Sequence, residues 1–138
     1  MIEGADCMKL WRRHKLVDIE GMAQVGLVDD KYEVYVNTDD GGNIPHFHYR
    51  LKNNWKKFHT CIRITSAEYF HHTGKESILN SKQLKDLIQF LNSSISLDQY
   101  NDKFNDNYEL IVFMWNINNS AMLVDSNTRM PDYSKLNS

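Results

Sequence analysis

Cysteine is scarce in this chain. Its 138 residues include two, Cys7 and Cys61, and neither has a partner at Cys-x-x-Cys spacing. The spacing therefore argues for no disulfide framework, and both are expected as reduced thiols of a cytoplasmic protein. Long apolar runs are missing too. The longest, Leu110–Trp115, falls far short of the ~18–20 residues of a membrane span. The first residues, Met1-Ile2-Glu3-Gly4-Ala5-Asp6, lack the basic-then-apolar order of a secretory signal. There is no surplus of one charge: the formal net charge is −2 and the pI is near 6.3. Nothing global thus pulls the chain toward nucleic acid or an anionic membrane. Finally, the sequence has no Walker loop, no Gly-x-Ser-x-Gly elbow and no His-Glu-x-x-His, which weakens the case for an enzyme.

What is present suits one globular domain: 41% of residues are hydrophobic and 25% charged, and this length buries a core without staples. We expect a single domain over residues 1–124 and an extended tail over 125–138, docked through Met130 and Tyr133. Met8–Val17 reads as a weak helix or an extended entry. Four segments then have strand character: Met22–Val28, Tyr32–Asn37, Ile44–Leu51 and Phe58–Thr65, with turns at Asp29-Asp30-Lys31 and Asp39–Asn43. Gly26 is expected at a bulge or a close approach. Short connections between sequential strands make an antiparallel meander the default.

After the strands the period changes. Ser66–His72 reads as one helical turn ended by Gly74. Asn80 and Gln83 have the spacing of a capping box, followed by Leu84, Leu87, Ile88 and Leu91 at helical intervals. Asn107–Asn119 reads as a largely buried helix, with asparagine at its end as a left-handed cap. The fold class expected is α+β: a four-stranded antiparallel meander with two main C-terminal helices packed on one face.

The chemistry gathers around Pro45-His46-Phe47-His48. On a strand, His46 and His48 share one side, about 7 Å apart, while Phe47 and Tyr49 share the other. His59, His71 and His72 follow within a short distance, with Glu68 between them, whereas His14 stands apart. His46, His48 and His59, aided by Glu68 or His71, have the residue types of a Zn²⁺-class site. Three readings stay open for His46, His48, His59, Glu68, His71 and His72: structural packing, a metal or catalytic site, and a pH-responsive binding face. Known His-x-His enzymes fit poorly. A histidine triad needs a third His where Arg50 stands, a cupin needs a glutamate that Arg50–Lys57 does not supply, and two-histidine phosphoesterases need His-x-Thr/Ser twice. Cys61 reads as a small buried apolar residue, badly placed for a nucleophile–base pair with His59.

Arg50, Lys52, Lys56, Lys57 and Arg63 are interleaved with Tyr49, Trp55 and Phe58, and no acidic residue interrupts them. Cations beside aromatic platforms suit single-stranded nucleic acid or a phosphorylated ligand. The same lysines equally suit a solvated hairpin that guards an edge strand.

From Gly21 to Tyr133 the chain resembles a group of small bacterial and phage proteins related to the DUF4160 type. The resemblance is carried by Pro45-His46-Phe47-His48, Cys61-Ile62-Arg63-Ile64, Glu68-Tyr69-Phe70-His71-His72, Leu79-Asn80-Ser81-Lys82, Trp115-Asn116-Ile117-Asn118-Asn119 and Met130-Pro131-Asp132-Tyr133. It implies a compact α+β domain with a binding or regulatory role of the toxin–antitoxin kind, and supplies no catalytic residues. The leading expectation is a non-enzymatic module with a protein partner and no required cofactor. The alternatives are a metal-dependent hydrolase or nuclease-like enzyme using a transition metal at His46, His48 and His59, and nucleic-acid binding through the Arg50–Arg63 hairpin. No membrane association is expected.

Overall fold

Alternating side chains build the sheet. In the computed structural model, which describes residues 22–38, 43–71, 76–97 and 99–138, four strands follow one another as β1 (Met22–Val28), β2 (Tyr32–Asn37), β3 (His46–Leu51) and β4 (His59–Arg63). They pair in sequence order, all antiparallel, which is the expected meander. Asp29 and Asp30 turn β1 into β2 with φ of 52° and 55°, a left-handed conformation that aspartate tolerates better than most residues. The Lys31 N–H closes the turn on the Val28 carbonyl. The expectations for Met8–Val17, Cys7, His14, Gly74 and most of the Asp39–Asn43 turn lie outside the described residues.

Gly26 fulfils both of its expected roles. The β1–β2 register shifts between Gln24 and Gly26, and a Cβ there would meet the Phe90 ring at 2.9 Å. That ring belongs to α1 (Ser81–Leu91). The helix begins as its sequence predicts: Asn80 Oδ1 accepts from the Gln83 N–H at 2.8 Å, and Gln83 Oε1 accepts from the Asn80 N–H at 2.9 Å. Such a cap contributes about 1 kcal/mol. Leu87 and Leu91 are fully buried, while Leu84 and Ile88 are half-buried against them.

The second helix, α2 (Asn107–Asn118), buries Tyr108, Leu110, Ile111, Val112, Met114 and Trp115, so apolar residues surround it as expected. Asp106 caps it by accepting from the Glu109 N–H. Asn119 ends it with φ of −137°. It is therefore not a left-handed cap; its side-chain amide instead donates to the Asn37 and Trp115 carbonyls. Val34, Val36, Phe47, Tyr49 and Ile62 from one face of the sheet join Leu87, Leu91, Leu110 and Ile111 in a single core.

Two further expectations give way. Ser66–His71 is not a helical turn. Tyr69 pairs antiparallel with Ile62, the Arg63 N–H bonds to the Glu68 carbonyl, and the Phe70 N–H bonds to the Cys61 carbonyl. Ser77 continues along the same edge, its N–H bonding to the His59 carbonyl. The last strand of a sheet has a row of unpaired donors and acceptors, and satisfying them outweighs one isolated helical turn. The tail also departs from a purely extended form. It closes in a 3-10 turn at Tyr133–Lys135 and buries Tyr133 and Leu136, with Met130 partly buried against the same core.

Candidate metal centre

Pleating sends Phe47 and Tyr49 into the helix-covered core, so His46 and His48 emerge on the opposite face. Register then decides their neighbours. His48 pairs with Tyr35 on β2 and with Cys61 on β4. His59, two residues before Cys61, shares that face. His46, His48 and Cys61 consequently form a buried group whose ligand atoms all lie within 4.8 Å of one another.

Distances within the group are short. His48 Nδ1 is 3.3 Å from Cys61 Sγ and 2.9 Å from His59 Nε2. His48 Nε2 lies 3.2 Å from the Asn37 amide nitrogen, and the Tyr35 hydroxyl is 3.4 Å from His59 Nε2. Tyr35, His48 and His59 form a stack of nearly parallel rings across three strands, with centroids 4.6 Å and 5.1 Å apart and planes tilted by 12° and 8°. On the other side of the group, His46 packs against Phe70 at 4.2 Å and Trp115 at 5.5 Å.

His46 is oriented by its own strand. Its Nδ1 lies 2.7 Å from the Ile44 carbonyl. A carbonyl only accepts, so Nδ1 carries the proton, and in the neutral ring Nε2 is the nitrogen with the lone pair. A backbone carbonyl holding one imidazole nitrogen while the other faces the ion is the usual outer-shell arrangement of a metal-binding histidine. The thiol and imidazoles are soft-to-borderline ligands suited to Zn²⁺ and its neighbours.

The remaining candidates are elsewhere. Glu68 Oε1 accepts from Arg63 at 3.1 Å and from Ser66 at 2.9 Å on the exposed edge, so it does not reach the imidazoles. His71 is exposed, 3.9 Å from Glu76, and His72 lies outside the described residues. Among the described residues no carboxylate joins the His–Cys group. Glu33 on the same face accepts instead from Arg50 Nε at 2.6 Å and from Gln24 at 2.9 Å.

The basic patch divides. Arg50 turns onto Glu33 and sits 4.6 Å over the Tyr35 ring, and Arg63 pairs with Glu68 at the far end of β4. Lys52, Trp55, Lys56 and Lys57 remain exposed on the β3–β4 connection, with Lys56 Nζ 5.8 Å from the Trp55 ring centre.

Sequence reasoning does not include Cys61, Tyr35 or Asn37 in the site. One signal is available: His59-x-Cys61 repeats on β4 the two-residue spacing of His46-x-His48 on β3. The base-like neighbour of Cys61 is His48, not His59, and Asn37 stands behind it. That order resembles a thiol–imidazole–amide relay, here with a sulfur at 0% exposure. No protein-family model, curated protein or solved structure matches the chain.

Proposed function

We propose that this chain is a metal-binding module whose centre, His46, His48 and Cys61, takes one zinc-class transition-metal cation. The observation that supports this most is the convergence of two imidazoles and a thiol within 4.8 Å on one buried face. Two imidazoles and a thiol converging this closely supply the soft-to-borderline donor set that a zinc-class cation takes. The Ile44 carbonyl behind His46 supports the same reading. Binding energy gained there becomes folding energy, because the ligands come from two strands that the unfolded chain does not hold together. Protein purified without a polyhistidine tag should carry close to one metal per chain by elemental analysis. A content below roughly one-tenth, with chelator leaving stability unchanged, would overturn the proposal.

A protein partner is the second reading. It is supported by Ile117, Met122 and Leu123, which are 38%, 40% and 64% exposed on one stretch of chain around the end of α2, and it accords with the DUF4160-type resemblance. A Leu123→Glu variant that keeps its fold and still binds a cognate partner equally well would remove this surface from consideration. The nucleic-acid reading retains only Lys52, Trp55, Lys56 and Lys57, because Arg50 and Arg63 are engaged by carboxylates.

A further inference from the structure

We infer that His59 is the fourth protein ligand of this centre, closing it as a cage of three imidazoles and one thiolate around a single zinc-class cation. This assignment rests on the metal reading above and adds its coordination number. A closed cage leaves no position for water or substrate, which is what separates structural and regulatory zinc sites from hydrolytic ones.

Zinc lies about 2.0–2.1 Å from nitrogen and about 2.3 Å from sulfur, so a tetrahedral ion separates two nitrogen ligands by about 3.3 Å and a nitrogen from a sulfur by about 3.6 Å. His48 Nδ1 lies 2.9 Å from His59 Nε2 and 3.3 Å from Cys61 Sγ. Both separations are within a few tenths of an ångström of the ligated values; an ion takes the His48 Nδ1 lone pair once the Asn37 amide, whose nitrogen lies 3.2 Å from His48 Nε2, turns to offer its oxygen to an Nε2–H. His46 lies within 4.8 Å of His48 and Cys61, whereas His59 stands outside that mutually close group, so closing the cage requires the His46 and His59 rings to turn toward the ion. His59 also differs from the other three in burial. His46, His48 and Cys61 are buried at 0%, 3% and 0% exposure, whereas His59 is only half-buried. It is the most exposed member of the set, with the Tyr35 hydroxyl 3.4 Å from its Nε2.

The test is a Co²⁺ titration of the full-length, untagged chain, followed by visible absorption with and without azide. The expected result is the intense band set of a four-coordinate, thiolate-bound Co²⁺, unmoved by azide. His59→Ala and the milder His59→Gln should bind Co²⁺ at least about tenfold more weakly and respond to azide, and added imidazole should restore the original bands in His59→Ala. Far-UV circular dichroism checks that the variants fold, and the azide response of the unaltered chain needs no variant. If the unaltered chain binds neither Co²⁺ nor Zn²⁺, the metal reading is lost and this inference with it. If it binds Co²⁺ but already responds to azide, or if His59→Gln keeps the same bands and affinity, His59 is not a ligand while the metal reading stands.

Discussion

His48 and Cys61 are direct partners across β3 and β4, and the Nδ1 of one lies 3.3 Å from the Sγ of the other. The sulfur is therefore the group whose loss separates metal binding from ordinary packing. Cys61→Ser nearly conserves volume but replaces a soft ligand with a hard, weak one. In the unaltered chain, Zn²⁺ at a hundredfold excess over its Kd should add about 2.7 kcal/mol of stability, seen as a rise in Tm that chelator reverses. In Cys61→Ser that rise should largely vanish. An equal rise in both proteins would place the metal elsewhere.

Tyr133 and Tyr108 share one acceptor. Their hydroxyls donate to the Ile64 carbonyl at 3.0 Å and 2.6 Å, and Tyr133 also donates to the Arg63 carbonyl at 2.7 Å. Tail and helix thus meet on the end of the sheet. Either Tyr→Phe change alone leaves Ile64 one donor and should cost about 1–2 kcal/mol in urea unfolding. The double variant leaves that buried carbonyl without either phenol and should lose more than the sum of the singles. Additive losses would show that the shared acceptor does not couple the two.

Alkaline pH should unfold the protein through its phenols. Burial pushes the Tyr49, Tyr108 and Tyr133 hydroxyls well above the ordinary tyrosine range, so the native state holds them neutral. The unfolded chain ionises its tyrosines near pH ~10. Their contribution is therefore intact below that pH and is lost as pH rises above it, by up to about 1.4 kcal/mol per pH unit for each group. Urea midpoints between pH 8 and pH 12, read beside tyrosinate absorbance, measure the slope. Midpoints that stay level past pH 11 would contradict it.

A methyl group at Gly26 would strike the Phe90 ring. A Cβ would lie 2.9 Å from Cε1 and Cζ of Phe90, so Gly26→Ala should destabilise by about 1–3 kcal/mol through overpacking. Phe90→Leu, which shortens the ring that is struck, should recover part of that loss when combined with it. A double variant no more stable than the two losses added together would mean that the strain lies in the β1 backbone instead.

Much of the fold is legible because it is written locally. Asn80 and Gln83 announce the start of α1 three residues apart, and both reciprocal hydrogen bonds form. The strands declare themselves by alternation, and Asp29-Asp30 by its tolerance of left-handed backbone. Ser66–His71 is not legible in the same way. Its local pattern is weak, and the stronger demand comes from the β4 edge, which exists only once the sheet has formed. Glu68 follows that segment outward to Arg63 and away from the imidazoles.

The candidate centre divides along the same line. That His46 and His48 share a face, with Phe47 and Tyr49 on the other, is settled in the sequence, since a two-residue period is a property of the strand alone. Which atoms they meet is a matter of tertiary register. Slipping β4 by one residue against β3 would turn Cys61 and His59 into the core and bring Thr60 out in their place. Burial of Ile62 against the helix-covered face opposes that slip. The apolar core thus fixes the position of the thiol and imidazoles on the other side of the same strand.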